Sequence, residues 1–283
     1  MTRRDLTRGR TFDAAAQPYD RFRPRYPREL FDDLAVLANV STTSRILEVG
    51  CGPGVATEEM MRRGWSVLGV EPGEQLARAA REKFLTQPFA VEVTTFDAWQ
   101  SDGRRFDLLF SASAYHWVAP RIRWTKAVEA LADHGSIALA SNKPLAAGSF
   151  HDFSEVTREL RARHGVDDER GTLDLEELRA LIDDTAADIG ELWEALSPQD
   201  SSVVAGDLFN KPVVRVYPWS CTYSTEEALG LLGTYSRFLA MDAVRRTALF
   251  EQLAAVVDND FGGALTRHYA TVLATSGVTS TGS

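Results

Sequence analysis

A glycine-rich segment at residues 46–54, with the sequence Ile-Leu-Glu-Val-Gly-Cys-Gly-Pro-Gly, constrains the fold of this chain more than any other feature. Its first four residues are mostly apolar and β-branched, which predicts a short buried strand in a parallel sheet. The glycines that follow can adopt backbone angles that side chains forbid, so the chain can turn sharply and let a ligand approach its backbone. An apolar stripe within residues 55–61 predicts that a helix comes next. Because the first N–H groups of that helix would point back toward the glycines, the segment predicts a nucleotide-binding site.

Two features of this segment distinguish between nucleotides. The dinucleotide fingerprint G-x-G-x-x-G requires a glycine at the position of Val55, and Gly54 comes one residue early. Glu48, near the end of the predicted strand, can accept hydrogen bonds from a cationic amino group, which a pyrophosphate lacks. The segment resembles the first motif of the class I S-adenosylmethionine-dependent methyltransferases, (D/E)-x-G-x-G-x-G. A tight turn without a ligand is the alternative. The resemblance implies that four residues of the motif bind the cofactor, namely Glu48, Gly50, Cys51 and Gly52.

An acidic residue follows the second predicted strand, residues 66–70. Glu71 lies about twenty positions past the glycines, where an acid at a strand tip can accept hydrogen bonds from both ribose hydroxyls. A helix-capping role for Glu71 is the alternative. The resemblance implies that Pro72 continues the turn beside the cofactor and that Leu76 covers the adenine.

A third strand is predicted at residues 91–95 from its apolar and β-branched side chains, and it ends at Phe96 and Asp97. The resemblance implies that this turn holds the edge of the adenine, with Asp97 accepting a hydrogen bond from the exocyclic amine. Relatives often have two consecutive acids here, whereas this chain has Ala98 at the second position. An exposed turn acid without a ligand is the alternative for Asp97.

The fourth predicted strand, residues 106–111, leads into the sequence Ala-Ser-Ala-Tyr-His-Trp. Ligands of open parallel sheets lie beyond the carboxyl ends of the strands, and we expect this strand beside the first one. Its end therefore faces the reacting methyl group, which makes Ser111 a candidate cofactor contact and His116 the candidate general base. Relatives share an A-x-H-W ending, and there the histidine often shapes the pocket instead of moving a proton.

An arm precedes the first strand. Residues 12–27 combine aromatic and basic side chains with three prolines, which indicates an amphipathic segment that covers the sheet with solvated arginines. Relatives in the trans-aconitate methyltransferase and type 11 groups have a Y-x-x-x-R-P-x-Y-P arm that closes over the cofactor. The resemblance implies that Tyr19 and Arg23 bind the cofactor, and the Arg23 guanidinium suits a carboxylate of cofactor or substrate. Five residues match this pattern, namely Tyr19, Arg23, Pro24, Tyr26 and Pro27.

Composition limits the classes of function. The net charge of −9 disfavours binding to nucleic acid or to anionic membranes, because both require positive charge on the protein. No apolar run is long enough to span a membrane, and the Arg-rich start lacks the apolar core of a signal peptide. Cys51 and Cys221 are too few for a disulfide framework, and the histidines lack metal-ligand spacing. We therefore expect a cytoplasmic enzyme that acts on a small molecule and uses no metal.

The order of predicted elements indicates the architecture. Strands and helices alternate through residue 141, which predicts an α/β fold with a doubly wound sheet. The resemblance implies a Rossmann-like, mostly parallel seven-stranded sheet with helices on both faces and an antiparallel last strand. Residues 142–212 show helical stretches without a clear strand, and we expect a lid insertion; a buttress away from the site is the alternative. The predicted organisation is an arm at 1–27, a cofactor-binding core at 28–141, the insertion at 142–212, the rest of the sheet at 213–275 and a disordered tail at 276–283.

The sequence as a whole is therefore identified with the class I methyltransferases. The resemblance covers residues 12–141 in several motifs, and the remainder only by architecture. It implies in-line transfer of the sulfonium methyl group of S-adenosylmethionine to a small-molecule acceptor, catalysed mainly by alignment in a closed pocket. Two alternatives remain, a nicotinamide-dependent oxidoreductase and a protein of this fold that binds S-adenosylmethionine without methylating.

Overall fold

One central sheet organises the computed structural model of the chain, which describes residues 16–166, 172–197 and 204–279. Across the sheet the strand order is β3-β2-β1-β4-β5-β7-β6. The strands from β1 to β5 pair in parallel, whereas β7 is antiparallel to both of its neighbours. The predicted mostly parallel seven-stranded sheet is therefore confirmed. The strands are β1 (Arg45–Val49), β2 (Ser66–Val70), β3 (Phe89–Glu92), β4 (Phe106–Ala112), β5 (Leu131–Pro144), β6 (Val213–Ser224) and β7 (Ala264–Gly277).

Helices cover both faces of this sheet. Before β5 they are α1 (Ala16–Phe22), α2 (Arg28–Leu37), α3 (Thr57–Arg62), α4 (Glu74–Lys83) and α5 (Arg123–Ala130). After β5 they are α6 (Ser149–Val156), α7 (Arg158–Arg163), α8 (Leu175–Thr185), α9 (Ile189–Leu196), α10 (Thr225–Gly233), α11 (Ser236–Leu239) and α12 (Ala243–Asp260). Short 3-10 turns occupy Tyr115–Trp117 and Gly206–Leu208.

Strand order places a crevice at the carboxyl ends of β1 and β4. The chain proceeds outward from β1 to β2 and β3, and then returns to the other side of β1 to form β4 and β5. Connections on the two sides leave in opposite directions, so they separate at this point, and open α/β sheets bind their ligands there.

The core has one apolar cluster on each face of the sheet, because successive side chains of a strand point to opposite faces. Leu47 and Val49 belong to the cluster that contains side chains of α5, α8 and α9. Ile46 and Phe110 belong to the cluster formed with α2 and α3. Burial of both faces explains the nearly continuous apolar runs of β1 and β4.

The helical region between β5 and β6 packs in two parts. Phe150 and Phe153 of α6 pack with α10 and α12 in a third apolar cluster. Ile182 of α8 and Trp193 of α9 instead join the core cluster on the sheet. The region predicted as an insertion, 142–212, therefore contains an α6–α7 part that packs with the C-terminal helices and an α8–α9 part that packs on the sheet. A capping box between Asp174 and Glu177 starts α8.

Two predicted boundaries are wrong. The third strand ends at Glu92, because residues 94–99 form a turn in which the Trp99 N–H bonds to the Thr95 carbonyl. The last strand continues to Gly277, where a disordered tail is predicted, because its end pairs with β5 from Gly277 opposite Ser136. Thr275 and Ser276 are buried at this end of β7, and their small hydroxyl side chains fit there. Residues 1–15 of the predicted arm and 280–283 of the predicted tail lie outside the described residues.

Candidate functional site

The glycine loop lies at the carboxyl end of β1, within the crevice. Gly50 has a φ of 72°, and a Cβ atom on it would lie 2.4 Å from the Cβ of Ala114 at the end of β4. Gly52 has a φ of 55°, and a Cβ built on it would meet no atom within 4 Å. The loop thus packs tightly against β4 at Gly50 and has an open side at Gly52. Helix α3 begins only at Thr57, two residues after the predicted stripe starts.

Glu48 is a buried acid without a cationic partner among the described residues. It is 1% exposed, and its Oε2 accepts a 2.6 Å hydrogen bond from the Thr57 hydroxyl. Burial raises the pKa of Glu48 to about 8, and the hydrogen bond from Thr57 offsets part of that shift. A buried carboxyl group of this kind fits a ligand ammonium group, which would supply the missing charge.

Glu71 fixes the geometry of the loop from the tip of β2. Its Oε2 accepts a 3.0 Å hydrogen bond from the Gly52 N–H, and its Oε1 accepts one of 2.8 Å from the Gly73 N–H. Each carboxylate oxygen has a second lone pair, so the group can also accept bonds from a vicinal diol. This position agrees with the predicted ribose contact, and it shows an additional role that the sequence did not predict.

The residues predicted to surround an adenine lie after β2 and β3. Pro72 is exposed, whereas Leu76 on α4 and Phe96 are 5% and 4% exposed. The Asp97 Oδ1 accepts a 3.0 Å hydrogen bond from the Ala119 N–H, and its Oδ2 has no partner within the described part of the chain. Asp97 therefore keeps one oxygen for an amine donor.

Two residues predicted to contact the cofactor, Ser111 and Cys51, have side chains that face into the fold. The Ser111 hydroxyl is fully buried and donates a 2.7 Å hydrogen bond to the Val49 carbonyl, so this side chain joins β4 to β1. The Cys51 thiol points into the fold, where a Cβ on Gly69 would lie 2.6 Å from its Sγ. Burial raises the pKa of this thiol, which makes it unreactive. Only the Cys51 backbone remains available to a ligand.

The described part of the arm crosses from the crevice to the C-terminal helices. The Tyr26 hydroxyl lies 3.0 Å from the Ser113 Oγ, and Ser113 has a left-handed φ of 55° at the end of β4. The Arg23 guanidinium lies 4.8 Å from the Tyr19 ring centroid and donates a 3.0 Å hydrogen bond to the Thr234 carbonyl. The arm is therefore anchored on both sides of the crevice.

His116 lies in the 3-10 turn after β4, as the sequence predicts. The side chain is half-buried, and its ring nitrogens have no hydrogen-bond partner among the residues that the structure describes. Burial, followed by the positive charges of Lys143, Arg123 and Arg23, lowers the pKa of His116 to about 4. The imidazole is thus neutral at pH 7 and only weakly basic.

Lys143 is a residue that the sequence analysis missed. It lies near the end of β5, and burial lowers the pKa of its ammonium group to about 8. A single lysine in a polar stretch carries no recognisable motif.

Within residues 16–166, 172–197 and 204–279 no cluster of three or more potential metal ligands occurs. Across the same residues, none of the helices has the length and apolarity that crossing a membrane requires.

Comparison with known proteins confirms the resemblance seen in the motifs. Residues 46–135 match a family model described as "Methyltransferase domain". The trans-aconitate 2-methyltransferase of Rhodopseudomonas palustris (strain BisB5) is 31% identical over 159 residues, which cover 54% of this chain and 59% of that protein. An uncharacterized methyltransferase of Mycobacterium tuberculosis (strain H37Rv) is 30% identical over 141 residues, 50% of this chain and 55% of the relative. The match thus spans little more than half the length of these curated relatives.

A solved structure confirms the fold over nearly the whole chain. It is a protein from Anaeromyxobacter dehalogenans assigned by name to the type II methyltransferases, and it superposes with a TM-score of 0.59 at 20% identity. The superposition covers 90% of this chain and 97% of that structure. Motifs, family model and fold therefore agree for the region that builds the crevice.

Proposed function

We propose that this chain, which carries a methyltransferase domain at residues 46–135, transfers the methyl group of S-adenosylmethionine to a small-molecule acceptor by in-line displacement. S-Adenosylhomocysteine is the second product of this reaction. The relatives' names support the reaction class, and the trans-aconitate methyltransferases among them are examples with a small-molecule acceptor.

The observation that supports the proposal best is the pair of acids on either side of the glycine loop. Glu48 offers a buried carboxyl group without a cation among the described residues, and Glu71 offers a carboxylate beside the open side of Gly52. The amino group of S-adenosylmethionine matches Glu48, and its ribose diol matches Glu71. Leu76 and Asp97 then lie on the adenine side. Bound there, the cofactor supplies an electrophilic methyl group.

The chain's own contribution to catalysis is alignment and the exclusion of water. The arm spans the crevice through Tyr26 and Arg23, and the tip of β4 lies beneath it. Holding two reactants in line removes the entropic cost of bringing them together. His116 is neutral at pH 7 and lies at this tip, so it accepts a hydrogen bond from the acceptor and is a poor general base.

Net charge and cysteine state support a cytoplasmic location and a diffusible acceptor. The charge of −9 disfavours nucleic acid and anionic membranes as partners. Cys51 and Cys221 are both unpaired, as is usual in a reducing compartment.

Glu71→Ala tests the proposed cofactor site. We expect the purified chain to bind S-adenosylhomocysteine, and the variant to bind it at least tenfold more weakly, because losing a charged hydrogen-bond acceptor costs about 1.5 to 3 kcal/mol. Isothermal titration calorimetry measures both affinities. Glu74→Ala is the matched control, since it removes an exposed acid three residues away on α4. Binding of NAD in place of S-adenosylhomocysteine would support an oxidoreductase and contradict the proposal.

A further inference from the structure

Strand β5 extends beyond its neighbour β4 into the region of the acceptor. The last parallel pair of the two strands joins Ala112 with Ala140, whereas β5 continues to Pro144. The end of β5 therefore lies past the tip of β4, beside the turn that carries His116. Lys143 belongs to this extension, and its positive charge is one of those that lower the pKa of His116.

Lys143 points away from the arm and toward α9. Neighbouring side chains of a strand face opposite sides, and the Asn142 amide donates a 3.3 Å hydrogen bond to the Arg25 carbonyl in the arm. The Lys143 Nζ donates to the Leu196 carbonyl and lies 3.4 Å from the Ser197 Oγ. These groups are neutral, and an ammonium group has three donor hydrogens. One donor of Lys143 is therefore left for another partner.

The charge of Lys143 has no counter-ion among the described residues. Arg123, the next cation around His116, forms a 3.0 Å ion pair with Glu194. Arg23 forms no ion pair in the described part of the chain, so its charge adds to that of Lys143. Burying a charge without a partner is unfavourable, and burial alone accounts for the lowered pKa of Lys143. The chain thus maintains local positive charge at the tip of β4 although its net charge is −9.

From this arrangement we infer that Lys143 binds an anionic group of the methyl acceptor, a carboxylate or a phosphate, and positions the acceptor beside His116. The inference rests on the proposed function, because it names the class of molecule that receives the methyl group. A bound anion supplies the missing counter-ion and uses the third donor of the ammonium group.

Fractionation of natural acceptors tests the charge of the acceptor directly. A small-molecule extract of the source cells is passed over an anion-exchange resin at pH 8, and both fractions are incubated with the wild-type chain and methyl-labelled S-adenosylmethionine. We expect the label to enter a molecule of the retained, anionic fraction. Treating this fraction with phosphatase distinguishes the two anions, since only a phosphate acceptor would lose its ability to be labelled. Label in the unretained fraction alone would overturn the inference and leave the proposed function intact.

Lys143→Met tests the role of the lysine with the labelled molecule as substrate. Losing one charge-assisted contact predicts a KM about ten- to a hundredfold higher, with S-adenosylhomocysteine affinity unchanged. Lys211→Met is the matched control, because Lys211 is exposed and lies just before the start of β6. Through β7, the start of β6 lies level with Ala138 of β5, whereas Lys143 is near the end of β5. Lys143→Arg keeps the charge and is expected to restore most of the affinity for the acceptor.

Three outcomes separate the explanations. A raised KM in Lys143→Met with normal cofactor affinity supports the anion site. An unchanged KM together with a lowered melting temperature would overturn it and leave Lys143 as a structural cap of α9. Should Lys143→Met not fold, the fractionation of the wild type and the Lys143→Arg kinetics decide. Failure of both fractions to take up label would overturn the proposed function, and the inference with it.

Discussion

Glu48 and His116 are both held in their neutral forms by burial, and this has opposite consequences for binding and for catalysis. Burial raises the pKa of Glu48 to about 8, so the acid carries its proton at pH 7 until a cation approaches. Burial and neighbouring cations lower the pKa of His116 to about 4, so the imidazole has lost its proton well below neutral pH. An activity change near pH 6.5, typical of a histidine base, is therefore not expected from His116.

The raised pKa of Glu48 predicts that cofactor binding releases a proton. With a pKa of about 8 the free carboxyl group is mostly protonated at pH 7, and pairing with an ammonium group lowers its pKa and expels the proton. We expect release of about one proton per S-adenosylhomocysteine at pH 7, and an affinity that rises as the pH approaches 8. Calorimetry at pH 7 in buffers of different ionisation enthalpy counts the protons.

Glu48→Gln is the control for this experiment. Its amide cannot titrate, so the variant should bind more weakly and release no proton. Equal proton counts in the wild type and Glu48→Gln would show that Glu48 does not pair with the cofactor.

Sequence predicted the residues of the glycine loop because their chemistry is local. The strand, the acid and the turn of residues 46–54 follow one another in the chain, so spacing alone specifies their arrangement. Spacing did not reveal side-chain environments that come from distant segments. The Ser111 hydroxyl bonds to Val49 inside the sheet, and the Lys143 ammonium group donates to the carbonyl of Leu196, 53 positions later in the sequence.

At the scale of elements, the arm is held by ion pairs as well as by its contacts in the crevice. The Lys83 ammonium on α4 lies 3.1 Å from the Asp20 carboxylate of α1 and 3.2 Å from the Glu58 carboxylate of α3. On the other side, Arg21 of α1 forms a 2.8 Å ion pair with Glu226 of α10. Helix α1 thus bridges the helices that flank the glycine loop and the C-terminal helices.

Lys83→Met tests how firmly the ion pair anchors the arm, and S-adenosylhomocysteine tests whether the arm closes over the cofactor. Partly exposed ion pairs contribute about 0.2 to 1 kcal/mol each, so losing the Lys83–Asp20 pair should accelerate amide exchange in residues 16–27 by up to about fivefold. S-Adenosylhomocysteine should slow exchange in these residues in the wild type, because a closed arm opens less often. Hydrogen exchange followed by mass spectrometry measures both effects, with Lys211→Met as the control.

Identical exchange of residues 16–27 with and without S-adenosylhomocysteine would contradict closure over the cofactor. It would instead favour the alternative interpretation, in which the arm is a permanent cover of the sheet.

At the scale of the whole molecule, the two halves of the sheet carry different sets of candidate site residues. Its β1 to β3 half carries the residues Glu48, Glu71 and Asp97, which we propose to bind the cofactor. The strand order was predictable because alternating strands and helices allow few topologies. The other half, from β4 to β6, carries His116 and Lys143 and supports the C-terminal helices. Division of the 142–212 region between two clusters was not predictable, since amphipathic helices show which face is buried and not which partner covers it.

The central claim is that the chain transfers a methyl group, and product analysis tests it most directly. Purified chain is incubated with trideuteromethyl S-adenosylmethionine and the small-molecule extract, and products are measured by mass spectrometry. We predict S-adenosylhomocysteine and a trideuteromethylated small molecule in equal amounts, both strongly reduced with Glu71→Ala. Binding of S-adenosylmethionine without formation of S-adenosylhomocysteine would contradict the claim and identify a protein of this fold that does not methylate.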